Sequence, residues 1–588
     1  MNSPAAAERE PQALPDSCQG WYELGLSLMQ RRDRPGACKA FLSALALEPT
    51  HSDAHYHLGQ ALSALGQAKA AQQAYAQALR HNPAHLEAAL ALAALWGSRG
   101  HYEGADVICR LALMLAPERA DLHFLQAHAL HKLRRYEQAL QAYERALALD
   151  GAMLDARNNL GAVLISLGRH QQAQAVLHEL LQTAPHLASA WINLGNSHQA
   201  QGCSERAELA FRRALELEAD NTTALDNLAS LMAQIGRPAD AEALLRRSLA
   251  VTSSGSASTE VNLAFLLLGQ GRYAEGLRRY EARWSPRWPA DVARIAQAPE
   301  LDYPPWQGEP LQAKRVLVVH EQGAGDQIQF VRYLPLLLAR GPQHITLICP
   351  AALQPLFEQF ESPRLSVRTV SRLDELAPHD YWVLLLSLPL HLGTGSVQDI
   401  PARLPYLRAD AQRQQHWREQ LPQAVRRVGL VWKGSAGHRN DALRSLPHLS
   451  SLAPLWRAQG LAFVSLQKGQ GEDEASAAPA DMPLTHLGSQ IQDFADSAAI
   501  VSQLDLVICV DTGLAHLAGA LGVACWVLLP HARTDWRWLH EREDSPWYPA
   551  ALRLFRQKPD EPWGAVIESV ATQLCLWSQS EGGSGAAR

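Results

Sequence analysis

Two short segments in the second half of the chain combine glycines with residues that can move protons or hold phosphate. The first contains Gly323, Gly325 and Asp326 directly after an apolar run. Glycines allow a tight turn there, and an aspartate at such a turn either caps the following helix or acts as a general base. Both roles are open at this point, and the sequence predicts a helix that starts near Asp326.

The second segment is V-D-T-G-L-A-H at 510–516, with Asp511, Thr512, Gly513 and His516. The free N–H groups in the first turn of a helix, together with a threonine hydroxyl, form a seat for phosphate. His516 lies about one turn further along the same helix. The alternatives are that Asp511 is only the N-cap and that His516 is a buried structural histidine.

Short apolar runs rich in β-branched residues precede both segments and are typical of buried parallel strands. They alternate with helical stretches, which predicts a doubly wound α/β fold. A charged, helical stretch near 408–427 divides this half into two lobes, 313–408 and 409–577, with a ligand between them at the carboxyl ends of the strands. The predicted strands are 315–320, 345–349, 381–386, 428–432, 462–466, 506–510 and 524–529.

The first half of the chain repeats itself with a period of 34 residues. Glycines that mark a tight turn recur on this lattice. Leu-Gly pairs recur in the first helix of several units, and an alanine four residues before an aromatic residue recurs in the second helix. The turn glycines are Gly66, Gly100, Gly168, Gly202 and Gly236, and the Leu-Gly pairs are at 24–25, 58–59, 160–161 and 194–195.

This combination resembles the tetratricopeptide repeat and extends over 20–285 in about seven or eight units. The resemblance implies an all-α superhelix of stacked helix pairs with a concave groove that holds peptide segments. Asn159, Asn193 and Asn227 occupy equivalent positions. In arrays that bind extended peptides such a row contacts the peptide backbone, whereas a solvated polar row is the alternative.

The periodicity is lost after 285, and the stretch 286–312 is rich in tryptophan and proline. We expect it to dock the repeats onto the second half, because tryptophans in a short segment need a covering surface; a flexible linker is the alternative. The segments 1–19 and 578–588 are expected to be disordered.

Composition excludes several classes of protein. The 588 residues carry a formal net charge of -6, which gives no basic field to attract nucleic acid. No apolar run is long enough for a secretory signal or a membrane span, so we expect a cytoplasmic protein. The 8 cysteines are widely spread, without zinc-binding spacing.

The second half, from 300 to 575, is similar to the heptosyltransferase-like glycosyltransferases of the GT-B fold. It is more similar still to bacterial proteins that join tetratricopeptide repeats to such a domain. The resemblance implies two Rossmann-like lobes, with the acceptor on the first and a nucleotide-sugar on the second. It rests on E-Q-G-A-G-D-Q-I-Q-F-V-R-Y at 321–333, V-G-L-V-W-K-G at 428–434, H-R-N-D-A-L-R-S-L at 438–446, S-L-Q-K-G at 465–469, V-D-T-G-L-A-H-L-A-G-A-L-G at 510–522, D-W-R-W at 535–538 and D-S-P-W-Y-P at 544–549.

The resemblance also implies a role for each candidate residue. Asp326 becomes the general base for the acceptor hydroxyl, with Glu321 in the same turn as the alternative. Thr512, Gly513 and His516 become the residues that hold the phosphates of the donor.

Positive charge on the phosphate side is expected from three residues. Arg444 lies where the family places a lysine or arginine, and Lys433 and Lys468 each follow a predicted strand. Such groups compensate the charge of a phosphate leaving group. No metal ion or other cofactor is expected, because no D-x-D motif is present and the nucleotide-sugar is a substrate.

The sequence therefore predicts an inverting glycosyltransferase that modifies Ser or Thr hydroxyls of a protein recruited by the repeat groove. Resemblance to transferases that modify flagellin makes flagellin the first candidate acceptor. The alternatives are transfer to a surface polysaccharide or lipid core, and a catalytically inactive scaffold for protein binding.

Overall fold

The computed structural model describes residues 15–251, 256–288, 295–438, 440–559 and 561–579. Its contacts divide the chain into two units, 1–231 and 232–588. Most of the two segments expected to be disordered, 1–19 and 578–588, lies outside the described residues, as does part of the 286–312 junction. The first helix already begins at Cys18, so the repeats start slightly earlier than position 20.

The first half consists of helices that follow one another in pairs, and the helices of seven of these pairs are shown in contact within the described residues. The division between the two units falls inside the thirteenth helix, so the last repeats belong to the second unit. The helices are α1 Cys18–Gln30, α2 Arg34–Leu47, α3 Ser52–Ala64, α4 Ala68–His81, α5 Leu86–Ser98, α6 Tyr102–Leu115, α7 Ala120–Lys132, α8 Tyr136–Leu149, α9 Leu154–Ser166, α10 His170–Thr183, α11 Ala188–Ala200, α12 Ser204–Leu217, α13 Thr222–Gln234, α14 Pro238–Val251, α15 Ala257–Gly269 and α16 Tyr273–Tyr280.

The recurrent glycine of α1, α3 and α11 receives the aromatic ring of the second helix in the same hairpin, whereas Gly161 of α9 receives the side chain of Leu177. A β-carbon built at Gly59 would lie 2.5 Å from Cε1 of Tyr75, and one built at Gly195 would lie 2.5 Å from Cε1 of Phe211. Both rings are buried. The two sequence lattices are therefore halves of one packing contact, which sets how closely the paired helices approach.

Gly195→Ala should lower the free energy of unfolding of the repeats by about 1–3 kcal/mol, because the added methyl group overpacks the Phe211 ring. Gly97→Ala is the matched control, since a β-carbon at that helical position meets no atom within 4 Å. The control should be neutral or stabilise by up to about 1 kcal/mol. Urea unfolding followed by far-ultraviolet circular dichroism compares them, and equal midpoints would refute the packing explanation.

The second unit adds alternating strands and helices to the last repeats. The strands are β1 Arg315–Val319, β2 His344–Ile348, β3 Leu365–Arg368, β4 Tyr381–Leu384, β5 Arg426–Val431, β6 Leu461–Ser465, β7 Leu484–His486, β8 Leu506–Val510, β9 Cys525–Leu529 and β10 Leu552–Arg556. The helices are α17 Ala324–Phe330, α18 Leu334–Ala339, α19 Gln354–Phe357, α20 Leu388–His391, α21 Ala411–Arg418, α22 Asp441–Arg444, α23 Glu472–Ser476, α24 Phe494–Val501, α25 Gly513–Leu521 and α26 Trp563–Gln579.

Two parallel sheets form the cores of two lobes. The first sheet has the order β3-β2-β1-β4, and the second has the order β10-β9-β8-β5-β6-β7. In each sheet the direction of winding reverses once, between β1 and β4 in the first and between β5 and β8 in the second. Ligands of open α/β sheets bind at the carboxyl ends of strands beside such a reversal.

The last repeat hairpin and the junction pack onto the first lobe. The N–H of Ala274 donates to the carbonyl of Gly395 over 2.8 Å, and the Gln322 amide donates to the Tyr280 hydroxyl over 2.7 Å. Trp306 of the junction is buried, and its N–H donates to the carbonyl of Trp382. The tryptophans of the junction, Trp288 and Trp306, are thus covered, as a docking role requires.

The prediction of an all-α repeat array followed by two α/β lobes is confirmed. All seven predicted strands are present as parallel strands. Among the described residues, no helix combines the length and apolar character that crossing a bilayer demands.

Candidate functional site

The turn after β1 holds Asp326 in two interactions. The Gly323 N–H donates to the Asp326 carboxylate over 2.8 Å, and the other carboxylate oxygen faces the guanidinium of Arg537 at 2.5 Å. Helix α17 begins at Ala324, so the expected start at Asp326 is two residues late. Asp326 therefore caps its helix from inside the first turn while its second oxygen points at a charged partner.

The turn after β8 leads directly into α25, whose N-cap is Thr512. The alternative that Asp511 is the N-cap is therefore wrong, because Thr512 has the extended backbone of a cap and Gly513 begins the helix. The Thr512 hydroxyl is buried and has no hydrogen-bond partner among the described residues. A buried hydroxyl beside the free N–H groups of a helix start is a donor set suited to an anion.

The two turns meet, although about 190 residues separate them in sequence. A β-carbon built at Gly325 would lie 3.2 Å from Cα of Gly513 and 2.8 Å from Cδ2 of His516. Glycine at position 325 lets α17 of the first lobe touch the start of α25 in the second. The predicted base and the predicted phosphate seat consequently share one site.

His516 is a buried, neutral histidine at this contact. Its Nδ1 atom lies 2.9 Å from the Tyr548 hydroxyl, and its ring stacks on Trp538 with centroids 5.1 Å apart. Burial, together with the nearby positive charge of Arg537, lowers its pKa to about 3. His516 thus offers a hydrogen bond to a ligand at neutral pH, without a positive charge.

The free energy of unfolding of the wild-type chain should decrease as the pH falls. In the unfolded chain His516 has a pKa near 6.5 and binds a proton that it does not bind in the folded chain. Its contribution is complete above pH 6.5 and is lost progressively toward pH 3. Between pH 7 and pH 5 the free energy of unfolding of the second unit should fall by about 2 kcal/mol more than in His516→Asn. Urea unfolding followed by tryptophan fluorescence at both pH values tests this, and parallel pH profiles would contradict it.

Arg537 was not expected in the site, but it is at its centre. Its guanidinium is 3% exposed and bonds both carboxylate oxygens of Asp535 at 2.9 Å as well as facing Asp326. Burial raises the pKa of Asp326, and the positive charge of Arg537 offsets part of that rise. The arginine of the D-W-R-W motif thus supplies positive charge to the site.

Asp511 lies in the same charged cluster. Burial and the negative charge of Asp535 raise its pKa to about 7, against the opposing influence of Arg444 and Arg537. Asp511 therefore takes up a proton more readily than an exposed aspartate does. Protonation reduces the negative charge that an incoming phosphate would meet.

Arg444 lies at the end of α22, close enough to lower the pKa of Asp511. Its nearest described carboxylate is that of Asp441, at 3.6 Å, and its Nε atom is buried without a hydrogen-bond partner. Gly434 makes room for it, since a β-carbon there would lie 2.7 Å from Nη2 of Arg444. The structure thus brings Arg444 to the Asp511 side of the site.

Lys433 and Lys468 are committed elsewhere. The Lys433 ammonium pairs with Glu474 at 2.5 Å, and the Lys468 ammonium donates to the carbonyl of Ile491 over 2.7 Å. The expectation that both add positive charge to the phosphate side therefore needs correction. Their positions after strands were read correctly, but their partners come from distant segments.

Glu321 is held in a buried ion pair. Both of its carboxylate oxygens accept from Arg283, over 2.9 and 2.7 Å, and one also accepts from the N–H of Leu386. Arg283 is fully buried and donates to Glu281 and Ser387 as well. The contacts give Glu321 a structural position at the carboxyl ends of β1 and β4.

The aromatic residues of the D-W-R-W and D-S-P-W-Y-P motifs are buried and pack in the interior of the second unit. They surround Arg332, which is 3% exposed and lies 4.6 Å from the ring of Tyr548. The rings of this block thus fix the Tyr548 hydroxyl that bonds His516. They are Trp536, Trp538, Trp547 and Tyr548.

The asparagines of the repeats are half-buried and bond between successive hairpins. The Asn193 amide donates to Oδ1 of Asn158 over 2.9 Å, and the Asn227 amide donates to Oδ1 of Asn196 over 2.9 Å. The row therefore does not consist of freely solvated side chains. Asn158 and Asn196, which the 34-residue lattice did not single out, complete it together with Asn159.

Comparison with known proteins identifies the repeats. Models described as tetratricopeptide repeat match residues 40–73, 130–194 and 192–257. The N-terminal half is a tetratricopeptide-repeat array. This array is similar to a tetratricopeptide repeat protein from Parabacteroides merdae ATCC 43184, with 14% identity, a TM-score of 0.39 and coverage of 43% of this chain and 100% of that chain. It is also similar to YrrB, a TPR protein with an unusual peptide-binding site, with 22% identity, a TM-score of 0.29 and coverage of 32% of this chain and 97% of that chain.

The sequence is also similar to Protein FlbA of Caulobacter vibrioides, over a longer stretch of the chain. It is 31% identical over 401 residues, which are 62% of this chain and 63% of FlbA. The chain thus spans less than two thirds of the curated relative that it matches.

Proposed function

We propose that the chain is an inverting glycosyltransferase that moves a sugar from a nucleotide-sugar to Ser or Thr hydroxyls of a polypeptide. The observation that carries the proposal is the contact between the turns that hold Asp326 and Thr512. The contact supports the proposal because the turn that carries Asp326 in one lobe lies against the turn that carries Thr512 in the other. This is the arrangement that group transfer between two bound substrates needs.

The donor side is supported by polar groups that lack partners in the protein. The Thr512 hydroxyl, Nε of Arg444 and Nε of Arg537 are all buried without a hydrogen bond among the described residues. Buried donors normally find an acceptor, so a phosphate oxygen is the natural complement to this set. Arg444 and the N–H groups at the start of α25 would stabilise the departing nucleotide.

The reaction is a displacement at the anomeric carbon of the sugar. The acceptor oxygen forms a bond to that carbon, and its proton passes to the carboxylate of Asp326. The bond between the anomeric carbon and the phosphate oxygen breaks, and its electron pair leaves with the nucleotide. Attack from the face opposite to the leaving group inverts the configuration.

Asp326 is the better base of the two acidic residues in its turn. Both carboxylates are ion-paired, Glu321 with Arg283 and Asp326 with Arg537, so the choice between them rests on their positions and not on their pairing. Asp326 lies at the contact with Gly513 and His516, and burial raises its pKa toward that of a useful base.

The acceptor is proposed to be a polypeptide because the array that precedes the transferase lobes is a tetratricopeptide array, a scaffold suited to binding peptide segments. Flagellin remains the first candidate on the resemblance of the motifs. A lipid or polysaccharide acceptor would leave the repeat array without a part in recognition.

A nucleotide panel tests the donor site. UDP, ADP, GDP or CMP at about a hundredfold over its Kd should stabilise the protein by about 2.7 kcal/mol, and Thr512→Val should reduce the shift. Thr572→Val, on the exposed face of α26, is the matched control. A shift unaffected by Thr512→Val would place the nucleotide elsewhere, and no shift with any nucleotide would favour the inactive scaffold.

A further inference from the structure

A second cavity lies outside the proposed catalytic contact, on the first lobe. It has a volume of about 250 Å³ and lies between the last repeat hairpin, the junction and the carboxyl end of β4. Three indole rings line it, with leucine side chains and two charged residues beside them. The lining includes Trp284, Trp306, Trp382, Leu390, Glu281 and Arg278.

The position of this pocket is one at which α/β sheets bind ligands. Winding of the first sheet reverses between β1 and β4, and Trp382 and Leu384 at the end of β4 line the cavity. The crevice beside such a reversal is the usual ligand position in open α/β sheets. The second lobe uses its own reversal, between β5 and β8, for Asp511 and Arg444.

The acidic group that lines the pocket is already satisfied by the protein. The Glu281 carboxylate accepts from Arg283, from the Trp284 indole and from the Ser387 hydroxyl. Burial lowers the pKa of His391, which is therefore neutral, and its ring lies 5.5 Å from that of Trp306. A sugar needs several free polar groups that converge on its hydroxyls, whereas these walls offer mainly apolar surface.

The volume of the pocket and the charge beside it further restrict which ligands can fit. Sites for drug-sized ligands occupy about 300–1,000 Å³, so this pocket suits one large side chain better than a sugar nucleotide. Arg278 is exposed at the pocket and makes no hydrogen bond or ion pair within the described part of the chain. An acidic group next to the apolar one would complement that charge.

We propose that this tryptophan-lined pocket binds an apolar side chain of the polypeptide acceptor, with an adjacent acidic residue facing Arg278. The inference rests on the proposed polypeptide acceptor and gives the pocket a part in selecting its sequence. An acceptor segment anchored on the first lobe would be presented near the turn that carries Asp326. The pocket would therefore influence KM for the acceptor more than turnover of the donor.

Dipeptide probes test the pocket without any transfer reaction. The full chain labelled with 5-fluorotryptophan is titrated with N-acetyl-Glu-Phe-amide, N-acetyl-Glu-Gly-amide, N-acetyl-Lys-Phe-amide and methyl glucoside. Fluorine resonances are assigned with single Trp→Phe variants at 284, 306 and 382. The Glu-Phe probe should shift these resonances and bind about tenfold more tightly than Glu-Gly, since only the former buries an aromatic ring.

Two variants sharpen the result. Leu390→Trp should abolish the shifts by filling the pocket, while Leu576→Trp, exposed on α26, should leave them unchanged. The wild-type chain should bind Glu-Phe more tightly than Lys-Phe by a factor of about 2–5, as expected for an exposed ion pair. Arg278→Glu should bind Lys-Phe more tightly than Glu-Phe by a similar factor.

The outcomes separate this inference from the proposed function. Shifts with methyl glucoside alone would make the pocket a sugar subsite and overturn the inference, as would the absence of shifts with every probe. Binding of Glu-Phe by a chain that transfers sugar to no polypeptide would support the pocket while refuting the proposed acceptor.

Discussion

Asp326→Asn should reduce the turnover of sugar transfer by about 10²- to 10⁴-fold, the usual contribution of a general base. The amide keeps an oxygen that can accept from the Gly323 N–H, so the turn should persist. It cannot take up the proton of the acceptor hydroxyl. Steady-state measurement of nucleotide release with the acceptor present gives the effect on turnover, and a thermal shift gives donor binding, which should be little changed.

The control for this variant is Asp544→Asn. Asp544 is an exposed aspartate that pairs with Arg542 at 2.7 Å in the same lobe as Arg537. Its replacement should leave turnover within about twofold, since exposed ion pairs contribute little. Unchanged turnover in Asp326→Asn would remove Asp326 as the base.

Arg283→Met should lower the free energy of unfolding of the second unit by about 3–5 kcal/mol. Arg283 is fully buried and its guanidinium bonds the carboxylates of Glu281 and Glu321. Removing the arginine leaves the buried carboxylate of Glu321 and the partly buried one of Glu281 without a compensating charge, which is among the most costly changes in a protein interior. The effect links the end of the repeats to the turn after β1, because Glu321 starts that turn.

Arg542→Met is the matched control for the ion pair, because Arg542 pairs with Asp544 near the surface. We expect a loss below about 1 kcal/mol for this control. Urea unfolding followed by tryptophan fluorescence measures both variants. A similar small loss for Arg283→Met would show that the buried pair does not hold the last repeat to the lobe.

The sequence patterns predicted the central strands and the repeats, because buried strands are continuous apolar runs and the repeat has a fixed period. They missed β3, β7 and β10, which are edge strands of their sheets. Edge strands are short and partly exposed, so polar residues such as those in L-S-V-R at 365–368 dilute the apolar signal.

The candidate site was predicted in part for a physical reason. Turn residues after strands, such as Asp326 and Thr512, are visible in a sequence because their neighbours define the turn. Pairings such as that of Arg537 with Asp326, or of Lys433 with Glu474, depend on how distant segments pack. Sequence spacing carries no record of them, which explains both the missed arginine and the misassigned lysines.

Co-expression with flagellin as the candidate acceptor, followed by intact-mass and peptide mass spectrometry, tests the central claim most directly. The account predicts a sugar-sized mass increment on Ser or Thr residues with the wild-type chain and its loss with Asp326→Asn, while Asp544→Asn retains it. An increment that persists in Asp326→Asn would contradict the assigned base. No increment on flagellin or any other polypeptide, together with no nucleotide turnover, would contradict transferase activity itself.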